Sequence, residues 1–129
     1  MTGVQTCALP ISRGNAYRAK GDADRAIADY DQVIKFNGRH APAFRSRGNA
    51  YLNKRSYERA VADLTQAIKL NSDDAMALND RGIAYGAKGS PELAIADFEQ
   101  FIRLDPKNAA AYNNRGFTYR SMQIGRAHV

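Results

Sequence analysis

The chain has 129 residues, enough for about one domain, and its 44% apolar and 25% charged residues are the proportions of a globular protein rather than a disordered one. No apolar run approaches the ~18 residues needed to cross a bilayer, so no membrane role is expected. The formal charge of +6 favours acidic partners, although the basic residues are scattered, and one cysteine with two histidines excludes an internal disulfide and a Cys- or His-based metal cluster.

The first eleven residues differ in pattern from the rest of the chain. QTCALPI back-translates to CAG ACG TGT GCT CTT CCG ATC, and the closing IGRAHV to ATC GGA AGA GCA CAC GTC, which lies inside the reverse complement of the first string. The two ends resemble translated sequencing adapter. Residues 1–11 and 124–129 are therefore read as a non-native leader and tail, and Cys7 and His128 are set aside with them. With both ends read as non-native, the absence of a targeting signal means little, and the compartment is unknown, cytoplasmic by default.

From residue 12 onward a phrase recurs. RGNAY at 13–17 returns as RGNAY at 47–51, RGIAY at 81–85 and RGFTY at 115–119, an interval of thirty-four residues. Gly14, Gly48, Gly82 and Gly116 share a column, as do Tyr17, Tyr51, Tyr85 and Tyr119. Ala26, Ala60 and Ala94 follow, then Tyr30, Leu64 and Phe98. A period of this size signals a repeat architecture. Phe44, Gly48 and Tyr51 sit at i, i+4, i+7, and Tyr57, Ala60, Val61, Leu64, Ala67 and Ile68 form a second helical stripe. The tripeptides KGD, KRS and KGS at 20–22, 54–56 and 88–90 mark the turns between them, and Ser90 before Pro91 reads as an N-cap with proline in the first turn. Each unit is thus a hairpin of two ~13-residue helices about 20 Å long. A mid-helix glycine costs about 1 kcal/mol relative to alanine, so the column needs a packing reason. The expectation is small against small, with Gly48 facing Ala60. One hairpin cannot bury both faces, so units must stack.

Gly, Tyr, Ala, a large apolar residue and the late Pro106 at these offsets resemble the tetratricopeptide repeat over residues 12–123. The resemblance implies an all-α, right-handed α-solenoid of stacked helical hairpins. About three and a half units and seven helices are expected, with units at 12–40, 41–74, 75–108 and a truncated 109–123. Two departures stand out. Arg13, Arg47, Arg81 and Arg115 occupy a slot that is usually apolar, and Phe101 replaces the small residue seen as Ala67. Half-buried charges need partners. The second helices offer Asp29, Asp63 and Asp97, so Arg–Asp pairing is expected, either within a unit (Arg47 with Asp63) or across the seam (Arg47 with Asp29).

The resemblance also implies that the first helices line a concave groove for an extended peptide or a partner helix. That stripe carries Asn15 and Arg18, then Arg45, Asn49 and Leu52. Met76, Asn79, Ile83 and Gly86 continue it, and Asn113, Phe117 and Arg120 end it. Asparagine amides both donate and accept, which suits a peptide backbone, and Met76, Ile83 and Phe117 would offer apolar pockets. The Lys-Asn, Asn, Lys-Arg set with which some family members grip a C-terminal carboxylate is broken. Arg45 and Asn49 resemble its first part, but Asp80, Ala110 and Asn114 stand at the other positions.

No phosphate loop, nucleophile elbow or metal-ligand spacing is present, and His40 reads as a junction histidine rather than a catalytic one. The expectation is a protein-interaction scaffold that is not an enzyme, has no cofactor, and binds neither nucleic acid nor membrane. The alternative is the substrate-recognition arm of a larger enzyme whose catalytic domain lies elsewhere. A monomer is expected, with weak self-association through an open C-terminal edge where Tyr119 and Met122 are more exposed than Tyr51 and Tyr85.

Overall fold

The computed structural model describes the backbone of residues 3–127 and the side chains of residues 8–126; the Cys7 side chain and His128 lie outside these. Seven helices and no strand are found among the described residues: α1 (Gly3–Ala19), α2 (Ala23–Phe36), α3 (Ala41–Asn53), α4 (Tyr57–Leu70), α5 (Ala75–Lys88), α6 (Pro91–Leu104) and α7 (Ala109–Ala127). This is the expected all-α solenoid of helical hairpins. α1 runs through residue 11, with Pro10 inside it, and Ile11 packs against the first core cluster. α7 likewise continues past residue 123.

Each hairpin turn requires a left-handed residue. Gly21 and Gly89 supply it with φ of 83° and 89°, whereas the second hairpin places Arg55 there with φ of 64°. Asp22 and Asp74 cap α2 and α5 by accepting the N–H groups of Arg25 and Ala77. His40 caps α3 in the same way, its Nδ1 accepting the Ala43 N–H at 3.1 Å. Ser90 does occupy the N-cap of α6, but its side chain makes no cap hydrogen bond, so proline at the helix start carries that boundary. The second helices have acidic first turns (Asp24, Glu58, Glu92) and basic last turns (Lys35, Lys69, Arg103), matching the helix dipole.

The core runs as a spine between hairpins. Ala26, Ile27, Tyr30 and Ala50 form one cluster, Ala60, Leu64, Ala67, Ala77 and Ala84 the next, and Leu78, Phe101 and Ala111 a third. Phe101 fills the space between α5, α6 and α7 that a small residue would have left. The packing of the glycine column differs from the expectation. A Cβ on Gly48 would stand 2.7 Å from Leu64 Cγ and 3.3 Å from Asp63 Cβ; Gly14 lies under Tyr30 and Gly82 under Phe98 in the same way. These three glycines face a large residue of the second helix (Tyr30, Leu64 or Phe98), not its alanine. Ala60 instead joins the cluster shared with α5.

Three of the four column arginines, Arg13, Arg47 and Arg81, pair within the unit. Arg47 Nε and Nη2 donate to Asp63 at 2.8 Å each, and Arg13–Asp29 and Arg81–Asp97 repeat the two-pronged geometry, always sixteen residues apart. Asp29 is not the seam partner of Arg47; Asp31 is, accepting from Nη1 at 2.8 Å, and Arg81 Nη1 reaches Thr65 across the next seam. Arg47 and Arg81 therefore each join two helices of a hairpin and stitch a seam as well.

Candidate functional site

α1, α3, α5 and α7 touch one another in sequence, whereas α2, α4 and α6 meet only through them. The first helices thus lie closer together and form the inner wall of the stack. Two recesses open on that wall.

The recess between α1, α3 and α5 has a volume of about 480 Å³ and is lined by Asn15, Arg18, Arg45, Asn49, Met76 and Asp80, with Ile11, Ser46 and Asn53. It is largely polar. Asp80, expected only as a disruption of an anion-binding set, is buried on its wall and accepts the Asn49 amide at 3.1 Å. Burial raises its carboxyl above the ordinary value, against the Asn49 hydrogen bond and the charges of Arg45 and Arg18, which lower it. Arg45 Nε stands 3.2 Å from Asp74 Oδ2, but its N–H is not aimed at that oxygen and the buried Nε makes no hydrogen bond. Asn15 accepts the Tyr30 hydroxyl at 2.7 Å, fixing its amide at the rim.

The second recess, about 410 Å³ between α5, α6 and α7, is apolar. Ile83, Phe117, Pro91, Phe98 and Ala87 line it with Gly82 and Gly86, and Asn114 supplies a polar edge. Phe117 is 70% exposed and Ile83 39%, so both aromatic and aliphatic surface faces solvent here. Neither glycine carries a side chain into this space, which keeps the recess open.

The residues expected along the groove separate into three groups. Asn15, Arg18, Arg45, Asn49 and Met76 meet in the polar recess, and Ile83 and Phe117 in the apolar one. Asn79 lies between them and accepts the Asn114 amide at 2.8 Å. Leu52 packs against the Ala60–Leu64 cluster instead of standing free, while Asn113 and Arg120 are exposed on α7 outside both recesses. Met76, expected as an apolar pocket, borders the polar recess. Sequence reasoning missed Ser46, Asn53 and Asn114 as lining residues; their place on the inner face of α3 and α7 was the available signal. Among the described residues no group of His, Cys, Asp and Glu is arranged to hold a metal, and no helix is long and apolar enough to cross a membrane.

Stacked helical hairpins with an open inner wall define a repeat-type interaction domain. A tetratricopeptide-repeat model matches residues 49–115, more than half of the chain, and a second TPR-repeat model matches residues 14–54. The chain belongs to the tetratricopeptide-repeat family. No curated protein matches it in sequence. Among solved structures, it is similar to the second TPR domain of human RPAP3 in complex with the HSP70 peptide SGPTIEEVD: 31% identity and a TM-score of 0.88, covering 92% of this chain and 98% of that one. The first TPR of Spaghetti (RPAP3), bound to the HSP90 peptide SRMEEVD, is 26% identical with a TM-score of 0.89 over 92% of this chain and 94% of that one. MamA is 25% identical with a TM-score of 0.87, covering 91% of this chain and 68% of that one.

Proposed function

We propose that the chain is a protein-interaction scaffold that binds an extended peptide of a protein partner along its inner wall and performs no chemistry of its own. One observation carries this reading: an apolar recess with exposed Ile83 and Phe117 continues from a polar recess rich in asparagine and arginine on the same row of helices. A peptide laid across the wall would seat one large apolar side chain between α5 and α7, where desolvation supplies affinity. Its backbone would meet the amides of Asn15, Asn49 and Asn79 and the guanidinium of Arg18. Relatives with peptides bound support the site, but the ligand differs in one respect. The RPAP3 peptides end in EEVD. Here Asp80 and Asp74 offset Arg18 and Arg45, so the polar recess offers no net positive charge to a terminal carboxylate. Internal segments, rather than acidic C-terminal tails, fit it.

The test is selection from a displayed library of random nine-residue peptides, followed by fluorescence anisotropy on the winners. The expected winners carry a large apolar residue and lose about tenfold or more in affinity for Phe117→Asp or Ile83→Asp, whose thermal melts stay at the parent value. Winners that bind Phe117→Asp as tightly as the parent would overturn the reading.

A further inference from the structure

Three polar groups of the recess between α1, α3 and α5 have unused hydrogen-bonding capacity. Asp80 is only 7% exposed, yet one of its two carboxylate oxygens is unbonded. Oδ2 accepts the Asn49 amide, and Oδ1 accepts nothing among the described residues. Arg45 is the converse case. Its guanidinium lies beside Asp74 without a hydrogen bond, and its buried Nε–H is left without an acceptor. Arg18, partly buried on the same wall, has no ion-pair partner among the described residues. A buried acceptor and two cationic donors thus line one cavity of about 480 Å³. Buried groups of this kind are costly when they stay unmade.

The charges around the cavity decide what can complete it. An anion would be brought against Asp80 and Asp74, and a cation against Arg18 and Arg45. A neutral group that both donates and accepts meets neither penalty. A hydroxyl offers one short arm and does not span an acid and a base together. A primary carboxamide does, because two N–H donors and a carbonyl acceptor diverge from one planar carbon. Main-chain amides share this chemistry, but Asp80 is set too deep for the backbone of a segment lying on the wall. A side chain reaches it.

We propose that this recess is a specificity pocket for the side-chain carboxamide of a glutamine or asparagine in the partner segment. The amide nitrogen would donate to Asp80 Oδ1, and the carbonyl oxygen would accept from the Arg45 guanidinium. Asn49 steadies the carboxylate by its hydrogen bond, and Asp74 steadies the guanidinium by its charge. The pocket rests on the peptide-binding reading of the inner wall and adds a second selected residue to the apolar one.

The peptides selected from the nine-residue library test it, by exchange of single side chains read as fluorescence anisotropy against the whole chain. Winners are expected to carry Gln or Asn at a constant distance from their large apolar residue. Replacing that residue by Glu, Lys or norleucine should weaken binding about tenfold or more. Asp80→Asn in the chain removes the charge but keeps an acceptor for the Asn49 amide, so the preference for Gln over Glu should be lost. Phe117→Asp should weaken the Gln and Glu peptides by the same factor, because Phe117 lines the other recess. Winners without a carboxamide, or a preference for Gln over Glu that survives Asp80→Asn, would overturn the pocket. Winners with Lys or Arg at that position would overturn it too, by assigning Asp80 to a cation. In these cases sensitivity to Phe117→Asp leaves the groove reading standing, whereas indifference to Phe117→Asp overturns the groove and the pocket together.

Discussion

Gly48 lies directly beneath Leu64, so close that the smallest side chain, a methyl group, would stand 2.7 Å from Leu64 Cγ. Leu64 is fully buried and cannot swing away. Gly48→Ala should therefore destabilise the chain by about 1–3 kcal/mol, the usual cost of overpacking, despite alanine's better helix propensity. Gly116 occupies the same column with open space above it. Gly116→Ala should stabilise by about 1 kcal/mol through propensity alone. Thermal melts of the two variants should move in opposite directions, and a shared sign would refute the packing account.

The arginine column makes a graded prediction. Arg47 is tied to Asp63 and Asp31, with one-fifth of its side chain exposed, and these carboxylates raise its pKa well above the ordinary value. Asp63→Ala would leave a half-buried guanidinium with only its partner across the seam. After discounting for solvent screening, a loss of about 1–3 kcal/mol is expected. Arg13 has the same bond to Asp29 but is 65% exposed, so Arg13→Ala should cost much less than Arg47→Ala. Denaturant titrations rank the two.

Asp80 gives a pH dependence. Its carboxyl is raised in the folded chain by burial, so its favourable contribution is complete only below the unfolded value and is lost as pH rises through the folded one. At neutral pH the buried charge is a burden. Asp80→Asn keeps an acceptor for the Asn49 amide while removing that charge. It should raise Tm at pH 7, with the gain shrinking toward zero as the pH falls below the carboxylate range. The same variant leaves Arg18 and Arg45 less opposed, so it should bind the peptide SGPTIEEVD more tightly than the parent does. Unchanged affinity would remove Asp80 from the specificity argument.

Arg55 holds a left-handed conformation that the other two hairpin turns give to glycine. Arg55→Gly should stabilise by about 1 kcal/mol, since a Cβ is disfavoured at that backbone geometry. Calorimetric scans of the single variant check it.

The groove asparagines carry structural bonds of their own. On sequence alone Asn49 and Asn79 are free for a ligand, yet the first is bonded to Asp80 and the second to Asn114. Asn49→Ala should therefore lower the melting temperature as well as weaken peptide binding, because Asp80 loses its donor. Exposed Asn113 has no such duty in the structure, and its alanine variant should leave the melt unchanged.

Recurrence of Gly, Tyr, Ala and a large apolar residue at one interval, with turn tripeptides between helical stripes, was enough to determine seven helices, the hairpin order and the helix starts near Ala41, Ala75 and Ala109. Such features are local or periodic, and a linear chain records them directly. Which residue fills the space over each glycine is not local. Gly48 is as compatible with Ala60 as with Leu64 on paper, and only the rotation of α4 about its own axis selects the leucine. That rotation also gives Arg47 its bond to Asp63, while the packing of α2 on α3 brings Asp31 across the seam, and Leu52 packs against the Ala60–Leu64 cluster. The stacking of α1, α3, α5 and α7 divides the inner wall into a polar and an apolar recess. Side-chain partners depend on crossing angles and helix phase, which arise when hairpins pack together and have no imprint in the order of residues.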